Sequence, residues 1–192
     1  VKDMSGLLKP YAAKILIEAL KDTVKIPIHL HTHDTSSLQP VTYMMAIEAG
    51  VDVVDCAIGA LSGLTSQPNF NAMVEMMRFH KRENVYDIRS LNQFSTYWEI
   101  VRAYYYPFES GMKGSSAEVF QHEIPGGQYS NLKSQAIALG LGNQFEEIKD
   151  RYVEVNDLFG DIVKVTPSSK VVGDMAQYMV ANQISKEDIF TR

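Results

Sequence analysis

Five residues, His29-Leu30-His31-Thr32-His33, constrain this chain more than any other stretch, because they join the two-residue period of a β-strand to a side chain that readily binds metal. On a strand, alternate side chains share a face, so His31 and His33 point the same way and two neutral imidazoles can share one divalent ion. Pro27-Ile28 before them and Asp34-Thr35-Ser36-Ser37 after them suit a short strand over 26–33 that runs into a polar loop. Chemistry in parallel α/β proteins collects at that C-terminal strand end. Alternate histidines also fill interiors as hydrogen-bonded residues, so the pair takes its meaning from its surroundings.

Those surroundings alternate strand with helix. Pro10 opens a helix whose apolar positions Ala12, Ile15, Leu16, Ala19, Leu20 and Val24 recur every three or four residues. A second helix over 40–49 carries Met44 and Met45 and stops at Gly50. Residues 51–57 read as another buried parallel strand, followed by a loop with Gly59 and Gly63 and a helix over 68–80. This order implies a parallel sheet or barrel. After about residue 85 strands become scarce. An amphipathic helix fits 90–106, with Leu91, Phe94, Trp98, Val101 and Tyr105 on its apolar side, and 107–130 is rich in glycine and turn residues. Further helices fit 144–157 and 167–182, and Ser185-Lys186-Glu187-Asp188 resembles a capping box opening another.

Composition excludes several function classes. Forty-five per cent hydrophobic and 21% charged residues are ordinary for a globular protein of 192 residues. A net charge of −5 with no basic run argues against nucleic acid as a partner. No apolar stretch approaches the ~18 residues of a membrane span, and no signal peptide is visible. The single Cys56 forms no internal disulfide, which points to a reducing, cytosolic-type compartment.

Six stretches then converge. They are Lys2–Pro10, Pro27–Ser37, Ser62–Pro68, Tyr105–Met112 (YYPFESGM), His122–Leu132 (HEIPGGQYSNL) and Val165–Met175 (VTPSSKVVGDM). In this order they resemble the later part of the carboxyltransferase domain of the pyruvate carboxylase family. The oxaloacetate decarboxylase alpha subunit and the transcarboxylase subunit are similar in Lys-Asp-Met and Thr-Pro-Ser-Ser-Lys. Isopropylmalate synthases and hydroxymethylglutaryl-CoA lyases share mainly His-x-His. The resemblance implies an α/β fold: the C-terminal part of a (β/α)8 TIM-type barrel over 1–85, then a mainly helical extension over 86–192. It implies transfer of carboxylate from carboxybiotin to pyruvate, giving oxaloacetate, with biotin carried on another domain or chain. A homo-oligomeric parent in the cytoplasm, or in the mitochondrial matrix of a eukaryote, follows from the same likeness.

The resemblance also assigns residues. It makes Lys2 a carbamylated lysine that ligates a divalent metal, zinc or manganese, with His31 and His33. The chemistry requires the carbamate, since an ammonium has no lone pair and a carbamate offers hard oxygens. Outside this context Lys2 reads as a solvated surface residue. The family's aspartate ligand comes from an early barrel strand beside the pyruvate-binding Arg and Gln residues. Asp3, Asp34 and Asp55 are poor substitutes for it. Asp34 reads as an orienter of a histidine or as a loop cap, and His29 as a hydrogen-bonded interior residue. Thr166 matches the hydroxyl that carries a proton between pyruvate and biotin, since a hydroxyl both donates and accepts. As a residue before Pro at a helix start, Thr166 also reads as an N-cap. Ser169 and Lys170 are candidates for contacting the biotin ureido group, with a solvated helix face the alternative for Lys170.

Other groups read more plainly. Tyr104-Tyr105-Tyr106 fits core and domain-interface packing, the methionine pairs fit core filling, and Gly126-Gly127 fits a tight turn with positive φ. His122 and Glu123 carry little catalytic weight. The chain opens at Val1-Lys2-Asp3 in what reads as a loop after a strand, leaving two clear barrel strands and an exposed sheet edge, so it is expected to be inactive alone. Reverse chemistry, as in an oxaloacetate decarboxylase alpha-type subunit, and a non-catalytic scaffold or dimerisation fragment are the alternatives.

Overall fold

The computed structural model describes residues 1–190 and is the C-terminal part of a TIM-type barrel followed by a helical region. Three short strands, β1 (Lys2–Asp3), β2 (His29–Thr32) and β3 (Val53–Val54), lie side by side in that order. Both pairings are parallel, with Lys2 opposite His31 and His29 opposite Val53. Lys2 and Asp3 thus form a strand, where the sequence reads as a loop, because backbone bonds from His31 and His33 to Val1 and Asp3 continue the ladder. The strands are shorter than the expected 26–33 and 51–57, since ladder length depends on the neighbour.

Helices α1 (Pro10–Thr23) and α2 (Gln39–Glu48) cover one face. Pro10 stands in the first turn of α1, where its missing N–H costs nothing. Leu30 and Thr32 of β2 face these helices and are fully buried, whereas His29 and His31 face the other way. Ala13, Ile17, Ile28, Leu30, Tyr43, Ala46, Ile47, Val51 and Met73 form the first core. The buried row of α1 is Ala13 and Ile17 with Leu20 and Val24 packed behind. Ala12, Ile15 and Ala19, expected on the apolar face, are exposed, because contact with β2 and α2 selects the row one residue away. On the far side of β3 a groove of 520 Å³ runs past Val53, Val54, Phe70 and Met77, so this edge has no strand beside it among the described residues.

Helix α3 (Phe70–Met76) is shorter than expected and starts where the Asn69 side chain accepts from the Ala72 N–H. Asp87 caps α4 (Ile88–Tyr105) in the same way through Arg89. This helix has no buried residue, and Tyr104, Tyr105 and Tyr106 are exposed, which corrects their assignment to the core. The aromatic run sits at the end of a helix with no second layer over it among the described residues.

The second core joins α6 (Gly126–Ala138), α7 (Phe145–Leu158) and α8 (Ser168–Asn182) through Leu132, Ile148, Tyr152, Val155, Val172 and Met179. Helix α6 begins at Gly126 and neither glycine has positive φ, so the expected tight turn is instead a helix start. The short α5 (Val119–His122) precedes it. Ser185 and Asp188 exchange the expected capping-box bonds, and among the described residues a 3-10 turn, Asp188–Phe190, follows in place of the expected helix.

Burial foremost, and then the Lys149 ammonium, push the His122 imidazole down from 6.5 to about 4. The fold therefore prefers neutral His122, and this stabilisation, complete above pH 6.5, is lost as pH falls toward about 4. Amide-exchange protection of α7 in the parent protein should weaken by ~1–3 kcal/mol over that window and flatten in His122→Gln. An unchanged slope in the variant would assign the pH dependence to another group.

Candidate active site

The open face of the sheet carries the candidate chemistry. Lys2, His29, His31 and Asp55 line one concavity there, together with Val1. Pairing of Lys2 with His31 places their side chains on the same face. His33 follows at the strand end, is buried, and has its Nε2 3.1 Å from His31 Nε2. Two imidazole nitrogens at that separation face each other within hydrogen-bond distance. Two zinc-bound nitrogens, each ~2.0–2.1 Å from the ion, lie at a comparable separation.

Two glycines hold His33. Gly6, at φ +78°, approaches so closely that a Cβ would stand 2.1 Å from the His33 carbonyl oxygen. A Cβ on Gly126 would stand 2.5 Å from His33 Nδ1 and 2.9 Å from the Thr65 carbonyl oxygen. Gly126→Ala should therefore cost ~1–3 kcal/mol by overpacking and displace His33. A lower urea midpoint together with lost metal in the parent protein is the expected result. Unchanged metal content would show that Gly126 does not set the ring's position.

His33 Nδ1 is buried without a well-aligned hydrogen-bond partner. If His31 directs its Nδ1–H to Asp55, the His31 Nε2 is a lone pair. In a direct bond His33 must then donate from Nε2, which leaves its own Nδ1 bare and orphaned. Were both Nε2 atoms to serve as ligands, that conflict would be removed, because His33 could then carry its proton on Nδ1, toward the nearby Thr65 carbonyl. This orphaned atom is the observation by which the residues present fit a metal. Burial first, and His31 second, hold the His33 imidazole below the ordinary range against the opposing Thr65 carbonyl.

The three aspartates are engaged elsewhere. Asp3 accepts from the N–H groups of Gly6, Leu7 and Leu8 and from the Thr32 hydroxyl, on the side away from the histidines. Asp34 accepts from the Gln39 N–H and holds the loop into α2, so of its two readings the structure shows the cap. Asp55 contacts His29 Nε2 and His31 Nδ1, each at 2.7 Å. Burial alone would raise the Asp55 carboxyl, but the hydrogen bonds of His31 and His29 outweigh it and hold the group below its ordinary value. Sequence reading missed this role of Asp55. The available signal was its odd-numbered place in the 51–57 run, two residues after Val53, which pairs with His29. Among the described residues no cluster of three His, Cys, Asp or Glu side chains is set to hold a metal. Cys56, next to Asp55, has its thiol pushed up to about 12 by burial and then by Asp55, and is unreactive at neutral pH.

The other predicted residues lie on the segment entering α8. Thr166 is exposed and its hydroxyl makes no hydrogen bond among the described residues. Pro167 occupies the N-cap position without a side-chain bond. The Ser168 hydroxyl accepts from the Val165 N–H and bonds the Val163 carbonyl, while no side chain caps the start of α8, so Thr166 is not the cap that its type suggested. Ser169 is buried and its carbonyl faces the Tyr152 hydroxyl at 3.5 Å, while exposed Lys170 pairs with Asp174 at 2.5 Å. No hydrogen bond or ion pair joins Thr166 to His31 or His33 among the described residues. The link is indirect: Lys164 pairs with Glu123 at 2.9 Å, and the Glu123 carbonyl accepts from Ser5 in the loop after β1. The Gly126 N–H donates to the Met4 carbonyl beside it.

Comparison with known proteins gives consistent matches. Residues 1–95 match the HMGL-like family model and residues 119–192 the conserved carboxylase domain model. The chain is 53% identical over its whole length to pyruvate carboxylase of Bacillus subtilis (strain 168) and 56% identical to that of Staphylococcus aureus (strain Mu50), spanning 17% of each. The structure of the carboxyl transferase domain of Rhizobium etli pyruvate carboxylase superposes with a TM-score of 0.95 at 51% identity, covering 98% of this chain and 32% of that one. The same domain with pyruvate and biocytin superposes at 0.94 and 52% identity, covering 96% and 31%.

Proposed function

We infer that this chain, which in sequence and fold is the later part of a carboxyltransferase domain of the pyruvate carboxylase family, contributes the metal-holding and proton-relaying residues of that domain. Its role in the parent protein is carboxyl transfer from carboxybiotin to pyruvate, with biotin arriving from another domain or chain. The observation that carries this reading is the close approach of His31 Nε2 and His33 Nε2, 3.1 Å apart, on the face that also bears Lys2. Relatives of the same fold are described with pyruvate and biocytin bound.

His31, His33 and a carbamylated Lys2 would hold the ion, zinc or manganese, together with the early-strand aspartate that the family likeness implies. Bound there, the metal supplies a Lewis acid that polarises the substrate carbonyl. His33 needs only to stay neutral and fixed, and its burial between Gly6 and Gly126 does both. Thr166, with an uncommitted hydroxyl, is the group that moves a proton between the pyruvate methyl and the biotin nitrogen. Ser169 is buried at the start of α8, so a biotin contact there runs through the helix-start backbone. Lys170 reaches biotin only by leaving Asp174. The division of labour follows the chain, with residues 1–85 in the barrel and 86–192 in the helical extension, and the segment alone is inactive.

The test is carboxyl transfer by the full-length parent protein, measured as oxaloacetate formed from pyruvate, ATP and bicarbonate. Formation that disappears in Thr166→Ala supports the reading. Biotin-dependent decarboxylation of oxaloacetate without any ATP-driven carboxylation would favour the alpha-type decarboxylase subunit. Neither activity would leave the scaffold.

A further inference from the structure

We propose that Asp55 is a positioning residue for metal capture: its carboxylate fixes His31 in the Nδ1–H tautomer and so reserves His31 Nε2 as the ligand atom. The inference rests on the reading of His31 and His33 as ligands. Asp55 stands on the strand beside His31, beyond Val53 and Val54, and its two oxygens reach His29 Nε2 and His31 Nδ1 at 2.7 Å each. A carboxylate offers only acceptors, so each imidazole nitrogen that faces it carries the proton. For His31 this leaves Nε2 as the lone pair, and it is Nε2 that faces His33. His29 takes the second oxygen and stops the carboxylate from rotating away.

A purely structural role does not account for this arrangement. The strands β2 and β3 are already joined by backbone bonds from Val53 to Ile28 and from Asp55 to Leu30, so the side chain is not needed for their pairing. Nor can Asp55 be a ligand of the same ion, since it occupies the opposite nitrogen of the His31 ring. What remains is orientation of a ligand from behind, which in metal sites generally is worth ~10–100-fold in affinity.

The experiment uses the full-length parent protein, stripped of metal and reloaded with cobalt(II). Cobalt content, its visible absorption, and the rate of removal by a chelator are compared for wild type, Asp55→Asn, Asp55→Glu and His31→Ala. Asp55→Asn should bind ~10–100-fold more weakly with an altered cobalt spectrum, because an amide can present its NH2 to the ring and favour the other tautomer. Asp55→Glu keeps the carboxylate and should stay within a few-fold of wild type. Wild-type affinity and spectrum in Asp55→Asn would overturn the proposal, as would an equal loss in Asp55→Glu. Equal cobalt uptake by wild type and His31→Ala is a different result, which would remove the metal reading itself.

Discussion

Thr166→Ala in the full-length parent should lower oxaloacetate formation by ~10²–10⁴-fold while Thr166→Ser retains most of it, because only the hydroxyl is asked to act as donor and acceptor. The structure sharpens this expectation. A capping threonine would add a stability loss of ~1 kcal/mol on truncation, which would blur the kinetic result. Here no side chain caps the start of α8, and the Thr166 side chain bonds to nothing among the described residues. The unfolding midpoint of Thr166→Ala should therefore match wild type, and ATP-dependent carboxylation of biotin should continue. A loss of transfer that merely follows a loss of folded protein would reassign Thr166 to structure.

Much of this was legible in the residues. The alternation of His31 and His33 gave their common face, and the barrel order of strand and helix gave their place at a strand end. Helices α1, α2, α4, α7 and α8 were visible from periodicity, Pro10 and Gly50, because each signal is local. What escaped was set by partners distant in sequence. The buried row of α1 is chosen by contact with β2 and α2. Helix α6 was hidden because two glycines open it, and Gly126 is required there by the His33 ring, 93 positions away in number and in contact in space. Asp55 was read only as an inadequate ligand, since its bonds to His29 and His31 depend on a strand register that spacing alone does not supply. Thr166 is a plausible cap by residue type, but the N-cap position falls one residue later, on Pro167, and that boundary lies in backbone angles.

His31→Ala should give the second large effect: a parent protein that folds normally, holds far less than one metal per chain and forms almost no oxaloacetate. Loss of a ligand is more severe than loss of an orienting partner, whose removal already costs ~10–100-fold in affinity. The fold should survive, because the His31 side chain is 23% exposed and its removal leaves Asp55 paired with His29. His33→Ala makes a useful contrast. It empties a buried space against Gly126 and Thr65, so it should lose metal and also some stability, through a cavity term that His31→Ala lacks. Metal content by elemental analysis and urea midpoints separate the two effects. Full metal occupancy in His31→Ala would mean that the 3.1 Å approach of the two Nε2 atoms is an ordinary histidine contact, and the proton relay at Thr166 would then have to work beside some other electrophile.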